Sequence, residues 1–358
     1  MAVTAIYSRD SVIENCEMKT LYVGIDLAIA KKKYLPICLC SWDGERLLPV
    51  DLTQLTCRPP RGRGNLAVLD AELVKRFVDE AATYLQAVAT KLGGRIVRIG
   101  IDAPRSPRVE NQKRRAAEVA MDQAGISCFT TPSASEFEMI FGKVRRHIAN
   151  GGEESRLPHA NQLWMQVGFR LFERLSSIAP CIEVFPQATV RAIGSGAIHK
   201  SQAGVVESQL STAAQYTGWP AGGGREVVLG QIGFGSNHDL LDAYLSAWVA
   251  ALPESERRAM GVPPEDVVWV PRVGEPAFER PKVINKPIRA VGSQDTPRAS
   301  DGLQRLCPGC GQHQFKRWPF GWDVHAAHRC VGLKSTDPIA RKAEYRGLYA
   351  HLFPGRKK

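Results

Sequence analysis

Apolar runs broken by short polar stretches fill the early chain: "LYVGIDLA" from residue 21, "YLPICLC" from 34 and "RLLPVDL" from 46, separated by Lys31 to Lys33 and by the turn signal "WDGE". Connections this short favour antiparallel neighbours, so a three-strand meander is expected. The period then changes. In "LAVLDAELVKRFVDEAATYLQAVATKL", Leu69, Leu73, Phe77 and Leu85 recur at helical spacing, and "GG" at 93 and 94 marks a stop. "RIVRIGIDAP" follows as a fourth strand, which can lie parallel beside the first after a helical crossover and so makes a mixed sheet.

Further along, "NQKRRAAEVAMDQAG" reads as helix, "ISCFTT" as strand, "SASEFEMIFGKVRRHI" as helix after a Ser cap, "NQLWMQVGFRLFERLSSI" as helix and "CIEVFP" as a short strand carrying Glu183. After a Gly-rich stretch, "HDLLDAYLSAWVAAL" has the clearest helical stripe, formed by Leu241, Tyr244, Leu245, Trp248, Val249 and Leu252. "DVVWV" at 266–270 ends the body. The expected organisation is an N-terminal extension over 1–19, a body over 20–270, a Pro-rich linker over 271–303, a Cys/His unit over 304–333 and a basic tail over 334–358.

Composition sharpens this outline. The 358 residues are 44% hydrophobic and 23% charged, ordinary for a folded protein. No stretch reads as an export signal or a membrane span, and six cysteines are scattered as packing thiols suited to a reducing compartment, so a cytoplasmic protein is expected. The net charge of +11 is uneven: residues 271–358 hold 17 Lys and Arg against 7 Asp and Glu, leaving 30 against 29 for the rest. A basic appendage on a near-neutral body suits a polyanion, nucleic acid being the commonest, or serves as a solubilising tail.

The candidate chemistry lies in carboxylates placed where strands end and a helix begins. Asp26 and Asp102 each close a Gly-Ile-Asp strand, and alternation puts Gly24 on the face of Asp26 and Gly100 on that of Asp102. Each carboxylate thus has a bare neighbour through which a metal or phosphate can approach. Asp239 and Asp242 are three apart on one helix face beside His238, and Asp239 in a first turn also suits a capping role. Such carboxylates need a cation, and Mg2+ or Mn2+ in a two-metal site is the expected one, since it takes oxygen ligands and serves phosphodiester cleavage. Arg105, Arg108, Lys113, Arg114 and Arg115 follow Asp102 and would either line a phosphate backbone or form a solvated helix face.

"GIDLA", "IGIDAP", "EVFPQAT" and "HDLLDA", in that order over roughly residues 20 to 270, resemble the ribonuclease H-like superfamily, especially its Holliday-junction resolvase branch. More closely, they look like a bacterial and archaeal group of predicted nucleases, domain-of-unknown-function family 429. The resemblance implies an α/β fold with a ribonuclease H-like mixed five-stranded sheet and flanking helices. It also implies Asp26, Asp102 and Asp242 as metal ligands, with Glu183 and Asp239 as supporting ligands or water positioners of a DNA or RNA nuclease.

The second informative stretch is "CPGCGQHQFKRWPFGWDVHAAHRC". Cys307 and Cys310 form Cys-x2-Cys, and His325 and Cys330 form His-x4-Cys, spacing that suits a tetrahedral structural Zn2+. His313 and His328 are the rival ligands. The stretch resembles Cys-Cys-His-Cys variants of small zinc fingers, units that touch nucleic acid or dock a protein partner. Two other functions stay open on the sequence: an actin-like or sugar-kinase-like phosphotransferase, for which "DLAIAKKK" lacks the expected glycines, and a non-catalytic nucleic-acid-binding module.

Overall fold

Three strands come first, β1 (Lys19–Asp26), β2 (Ile37–Asp43) and β3 (Arg46–Pro49), each antiparallel to the one before. Gly44 supplies the positive φ that the β2–β3 turn requires. Helix α1 (Ala71–Lys91) follows, its N-terminus capped by Asp70, whose carboxylate accepts the Glu72 and Leu73 amides. The helix stops at the expected glycines, and β4 (Gly94–Asp102) returns parallel to β1.

After β4 come α2 (Ala116–Gln123), α3 (Ala134–Ala149) and α4 (Ala160–Leu175), then β5 (Cys181–Glu183), parallel to β4. Four further helices follow: α5 (Pro186–Ala192), α6 (Val205–Thr217), α7 (Glu226–Ile232) and α8 (Asn237–Ala251). A hairpin of β6 (Arg257–Val262) and β7 (Asp266–Pro271) ends the run. The main sheet is five-stranded and mixed, ordered β3-β2-β1-β4-β5. The chain is thus α/β, with helices against the sheet.

One face of the sheet, carrying Leu21, Val23, Ile25, Ile99 and Ile101, packs on α1 and α4 through residues such as Phe77, Leu85, Leu163 and Leu171. The other face packs on α8, which is buried from Leu240 to Ala251 and is itself wrapped by residues of α5, α6 and α7. A helix covered on all sides needs no polar face, which is why its sequence stripe is broader than an amphipathic one. The β6–β7 hairpin packs with α2 and α5, and a bridge from Val184 to Trp269 sets it against the β5 edge.

Two expectations need correction. "ISCFTT" forms no strand: Ile126 and Thr131 at its ends are buried, Phe129 between them is 57% exposed, and the segment pairs with no ladder. Helices α5 to α7 and strand β6 fall where no element was expected. Helix α6 starts after Gly204 and stops at Gly218, both at positive φ, so turn residues hide a helix whose apolar contrast is weak.

This computed structural model describes residues 18–195, 204–222 and 226–273, with 315–318, 321–324, 337, 340, 341 and 343–345 further on. The chain forms two compact units, residues 1–284 and 285–358. In the second, β8 (Phe315–Trp318) pairs antiparallel with β9 (Gly321–Val324). Cys307, Cys310, His325, Cys330, His313 and His328, together with residues 1–17 of the N-terminal extension and most of the linker and tail, lie outside the described residues. Among the described residues no helix is long and apolar enough to cross a membrane.

Candidate metal centre

The parallel register of β1 and β4 runs Gly24 to Gly100, Ile25 to Ile101 and Asp26 to Asp102. Paired residues of adjacent strands point to the same face, so the two aspartates stand side by side at the strand ends, on the α8 side of the sheet. The glycines answer a different need from the one expected. A Cβ at Gly24 would overlap the Ala243 carbonyl oxygen and the Ala247 amide nitrogen. One at Gly100 would overlap the Ser246 carbonyl oxygen and sit 3.2 Å from Val184 Cγ2. The bare positions are therefore filled by the backbone of α8 and offer no route to a metal or phosphate. Their role is to let a helix lie directly on two strands.

That close seat positions the third carboxylate. Ala243 lies over Gly24, while Arg98 Nη1 donates to the carbonyls of Ala250 at 2.7 Å and Leu252 at 3.0 Å, so α8 runs antiparallel to β1 and β4. The Arg98 guanidinium meets the carbonyl end of the helix, a favourable place for a cation. Asp242, 8% exposed, then projects at the strand ends. Ligand oxygens of Asp26, Asp102 and Asp242 all lie within 4.8 Å of one another, the only such group among the described residues. Three carboxylates this close repel unless positive charge lies between them, and hard oxygen donors fit Mg2+ or Mn2+ rather than a thiol-seeking metal. One helical turn ahead of Asp242 stands His238, whose Nδ1 is buried with no hydrogen-bond partner.

The two supporting residues stand elsewhere. Glu183 is in register with Ile101, one position short of Asp102, so the pleat turns its side chain to the other face. Its carboxylate accepts Arg115 Nη1 at 2.9 Å, Arg115 Nη2 at 2.7 Å and the Arg105 amide at 2.9 Å. Burial pushes the Glu183 carboxyl up, and Arg115 pulls it back. Burial lowers Arg115 in turn, but Glu183 and Asp266 outweigh it and raise the guanidinium above its ordinary range. Asp239 accepts a hydrogen bond from Ser236 Oγ at 2.7 Å in the first turn of α8, where a carboxylate suits the positive end of the helix dipole, although no side chain caps a backbone amide there. Neither belongs to the group formed by the other three aspartates.

The basic run after Asp102 also resolves differently. Arg115 and Arg108 are buried, the latter donating to Glu136 and to the Thr131 carbonyl. Arg114 meets Glu118 and Asp122, and Arg105 reaches Glu265 at 3.5 Å. Among the described residues of this run Lys113 is exposed with no carboxylate partner, so most of these cations are held by carboxylates of the fold itself.

An exposed basic surface lies instead in the loops beside Asp26. The Asp26 amide donates to the Pro36 carbonyl, and two residues earlier Tyr34 bridges Arg61. Arg61 covers the Tyr34 ring at 4.4 Å, Tyr34 and Phe234 are 5.3 Å apart, and Arg58 covers Phe234 at 4.7 Å. Arg58, Arg61, Lys32 and Lys33 are exposed and make no salt bridge among the described residues. Cation–π stacking fixes the two guanidinium planes without neutralising them. The signal in the sequence, "CRPPRGRG", was legible as basic but not as neighbour to "GIDLA".

No protein-family model, curated protein or solved structure matches this chain.

Proposed function

We propose that the body is a divalent-metal-dependent nuclease of ribonuclease H-like architecture, hydrolysing phosphodiester bonds of DNA or RNA. The observation that carries this is the in-register pair Asp26 and Asp102 joined by Asp242 within 4.8 Å. The strand order β3-β2-β1-β4-β5, with β2 and β3 antiparallel to a parallel β1-β4-β5 core, supports the fold assignment. Asp26, Asp102 and Asp242 would hold Mg2+ or Mn2+. When bound, the metal supplies Lewis-acid activation of a water and charge stabilisation at the departing oxygen.

The chain's own residues do the rest. Gly24 and Gly100 hold α8 down so that Asp242 meets the strand aspartates. Arg58, Arg61, Lys32 and Lys33 attract the phosphodiester backbone on the Asp26 side. Glu183 and Asp239 leave the ligand set of this proposal, Glu183 serving as a support for Arg115 and Asp239 as the acceptor of the Ser236 hydroxyl at the helix start.

In the C-terminal unit, Cys307, Cys310, His325 and Cys330 would hold a structural Zn2+, with soft thiolates matching that metal. Tethered to the body through a basic, Pro-rich linker, the unit would raise the local concentration of nucleic acid or of a protein partner. The deciding experiment is a panel of single-stranded, duplex and branched DNA and RNA substrates incubated with the full chain in Mg2+ or Mn2+, beside Asp102→Asn. Cleavage by the wild type, absent in the variant and in chelator, is expected. A panel with no cleavage in either metal would refute the nuclease.

A further inference from the structure

On the β5 side of Asp102 the strand ends open into a cavity of about 330 Å3, lined by Asp102 itself together with Phe129, Trp164 and Phe185. We propose that this cavity takes one unstacked nucleobase of the strand whose phosphate lies at Asp26, Asp102 and Asp242. The inference rests on the nuclease reading and names what sits beside the broken bond.

Charge excludes a phosphate from the cavity. Among its lining residues Arg115 is the only cation, and it is already bound by Glu183 and Asp266, while Glu118 and Asp102 add further negative charge. Glu118 is held by the Thr131 amide at 2.7 Å and the Arg115 amide at 3.3 Å, so the charged groups of the floor are paired with one another and no free cation faces an anion. A neutral ligand with apolar faces suits such walls, and a base is one.

The walls also have the right shape and reach. Phe129 lines the cavity with its ring 57% exposed, so a face is open to a ligand there. Trp164 is fixed by its indole N–H, which donates to the Asn161 carbonyl at 2.9 Å, so its face is presented rigidly. Aromatic faces stack on any base, and polar edges then choose among them. Ser127 and Gln187 supply those edges: both line the cavity, both are exposed, and neither side chain has a hydrogen-bond partner among the described residues. The volume is at the small end of ligand pockets, about 300–1,000 Å3, enough for one base and too small for a duplex.

The strand order sets the direction of the proposed path. The unpaired cations Arg58 and Arg61 flank Asp26 on the β2 side, the carboxylates occupy the middle, and the cavity lies beyond Asp102 on the β5 side. A strand drawn along this line places a phosphate at the aspartates and the adjoining base at Phe129. Taking that base out of a stack is easiest in single-stranded, mismatched or branched nucleic acid.

Two experiments on the full chain test this. Oligonucleotides carrying 5-iodouracil at successive positions are photo-cross-linked to Asp26→Asn protein, and the adducts are mapped by mass spectrometry. Adducts at Phe129 or Trp164 are expected, and adducts confined to other surfaces would overturn the proposal. In parallel, cleavage by wild type and Phe129→Ala is compared on substrates with and without an abasic residue beside the scissile bond. The variant should lose about tenfold in kcat/KM on the intact substrate and nothing on the abasic one. Equal rates for both proteins on both substrates would sink the base pocket while leaving the nuclease standing. Adducts at Phe129 with no cleavage of any substrate would do the reverse.

Discussion

Gly24 of β1 and Ala243 of α8 meet so closely that the strand has no room for a methyl group between them. The contact is backbone on both sides, so neither partner can rotate away. Gly24→Ala should therefore lift α8 and cost about 1–3 kcal/mol, toward the upper end because no flexible side chain can absorb the overlap. Denaturant unfolding of the variant gives the number. Cleavage should fall further than stability alone explains, since Asp242 moves with the helix. A variant as stable and as active as wild type would show that α8 does not depend on this seat.

The carboxylate group gives a prediction that needs no substrate. With ligand oxygens of Asp26, Asp102 and Asp242 within 4.8 Å, ionised side chains repel in the absence of a cation. Mn2+ should raise the melting temperature, the gain growing to about 2.7 kcal/mol at a hundredfold excess over Kd. Asp102→Asn should melt higher than wild type in chelator and show little further gain with Mn2+. Calorimetry in both conditions separates the two effects, and a variant that keeps the full Mn2+ increment would remove Asp102 from the ligand set.

Glu183 tests the opposite role. It and Arg115 are 7% and 4% exposed, so Glu183→Gln leaves a buried guanidinium with Asp266 as its remaining carboxylate. Breaking a buried pair from one side costs about 3–5 kcal/mol, and Asp266 argues for the lower end. Affinity for Mn2+, measured by titration calorimetry, should change little. A large loss of metal affinity with unchanged stability would restore Glu183 as a ligand.

The sheet and two of its aspartates were readable because each depends on local pattern. Gly-Ile-Asp at a strand end fixes which face the carboxylate takes once the strand exists, and Asp242 follows from helical spacing. What failed depended on register or on tertiary cover. Whether Glu183 pairs with Ile101 or with Asp102 is a one-residue matter that no strand-local pattern encodes, yet it reverses the face. The glycines looked like openings because the sequence does not show that α8 lies over them. Arg115 looked like a surface cation because Glu183 and Asp266, its partners, are 68 and 151 residues away.

Acid should loosen the start of α3 before the rest of the body. Backbone donation from Ser133 holds Glu136 below its ordinary 4.5, burial opposes this, and Arg108 adds to the lowering. The Ser135 amide and the Ser133 and Ser135 hydroxyls do the same for Glu110. A carboxyl lowered in the folded state contributes stability above its ordinary value and loses it as pH falls through the folded one. Stability should thus decline below pH 4.5, with Asp51 and Asp79 acting in the same direction. Glu183, raised by burial, acts in the other. Glu136→Gln should flatten the decline in a series of denaturation midpoints, and an unchanged slope would remove this cap from the acid response.

Removal of zinc should separate the two units of the chain. In the proposed finger, Cys307, Cys310, His325 and Cys330 would hold the metal, and the folding energy of so small a unit would be largely metal-binding energy. The body over 20–270 has its own core around Ile25, Ile101 and Phe77. Purified protein should contain one zinc per chain, and Cys307→Ser should lose it. Chelation should then abolish a C-terminal unfolding step while the transition of the body stays within a degree or so, because their folding energies have separate sources. Wild-type protein free of zinc, or a body transition that falls with the zinc, would contradict that division.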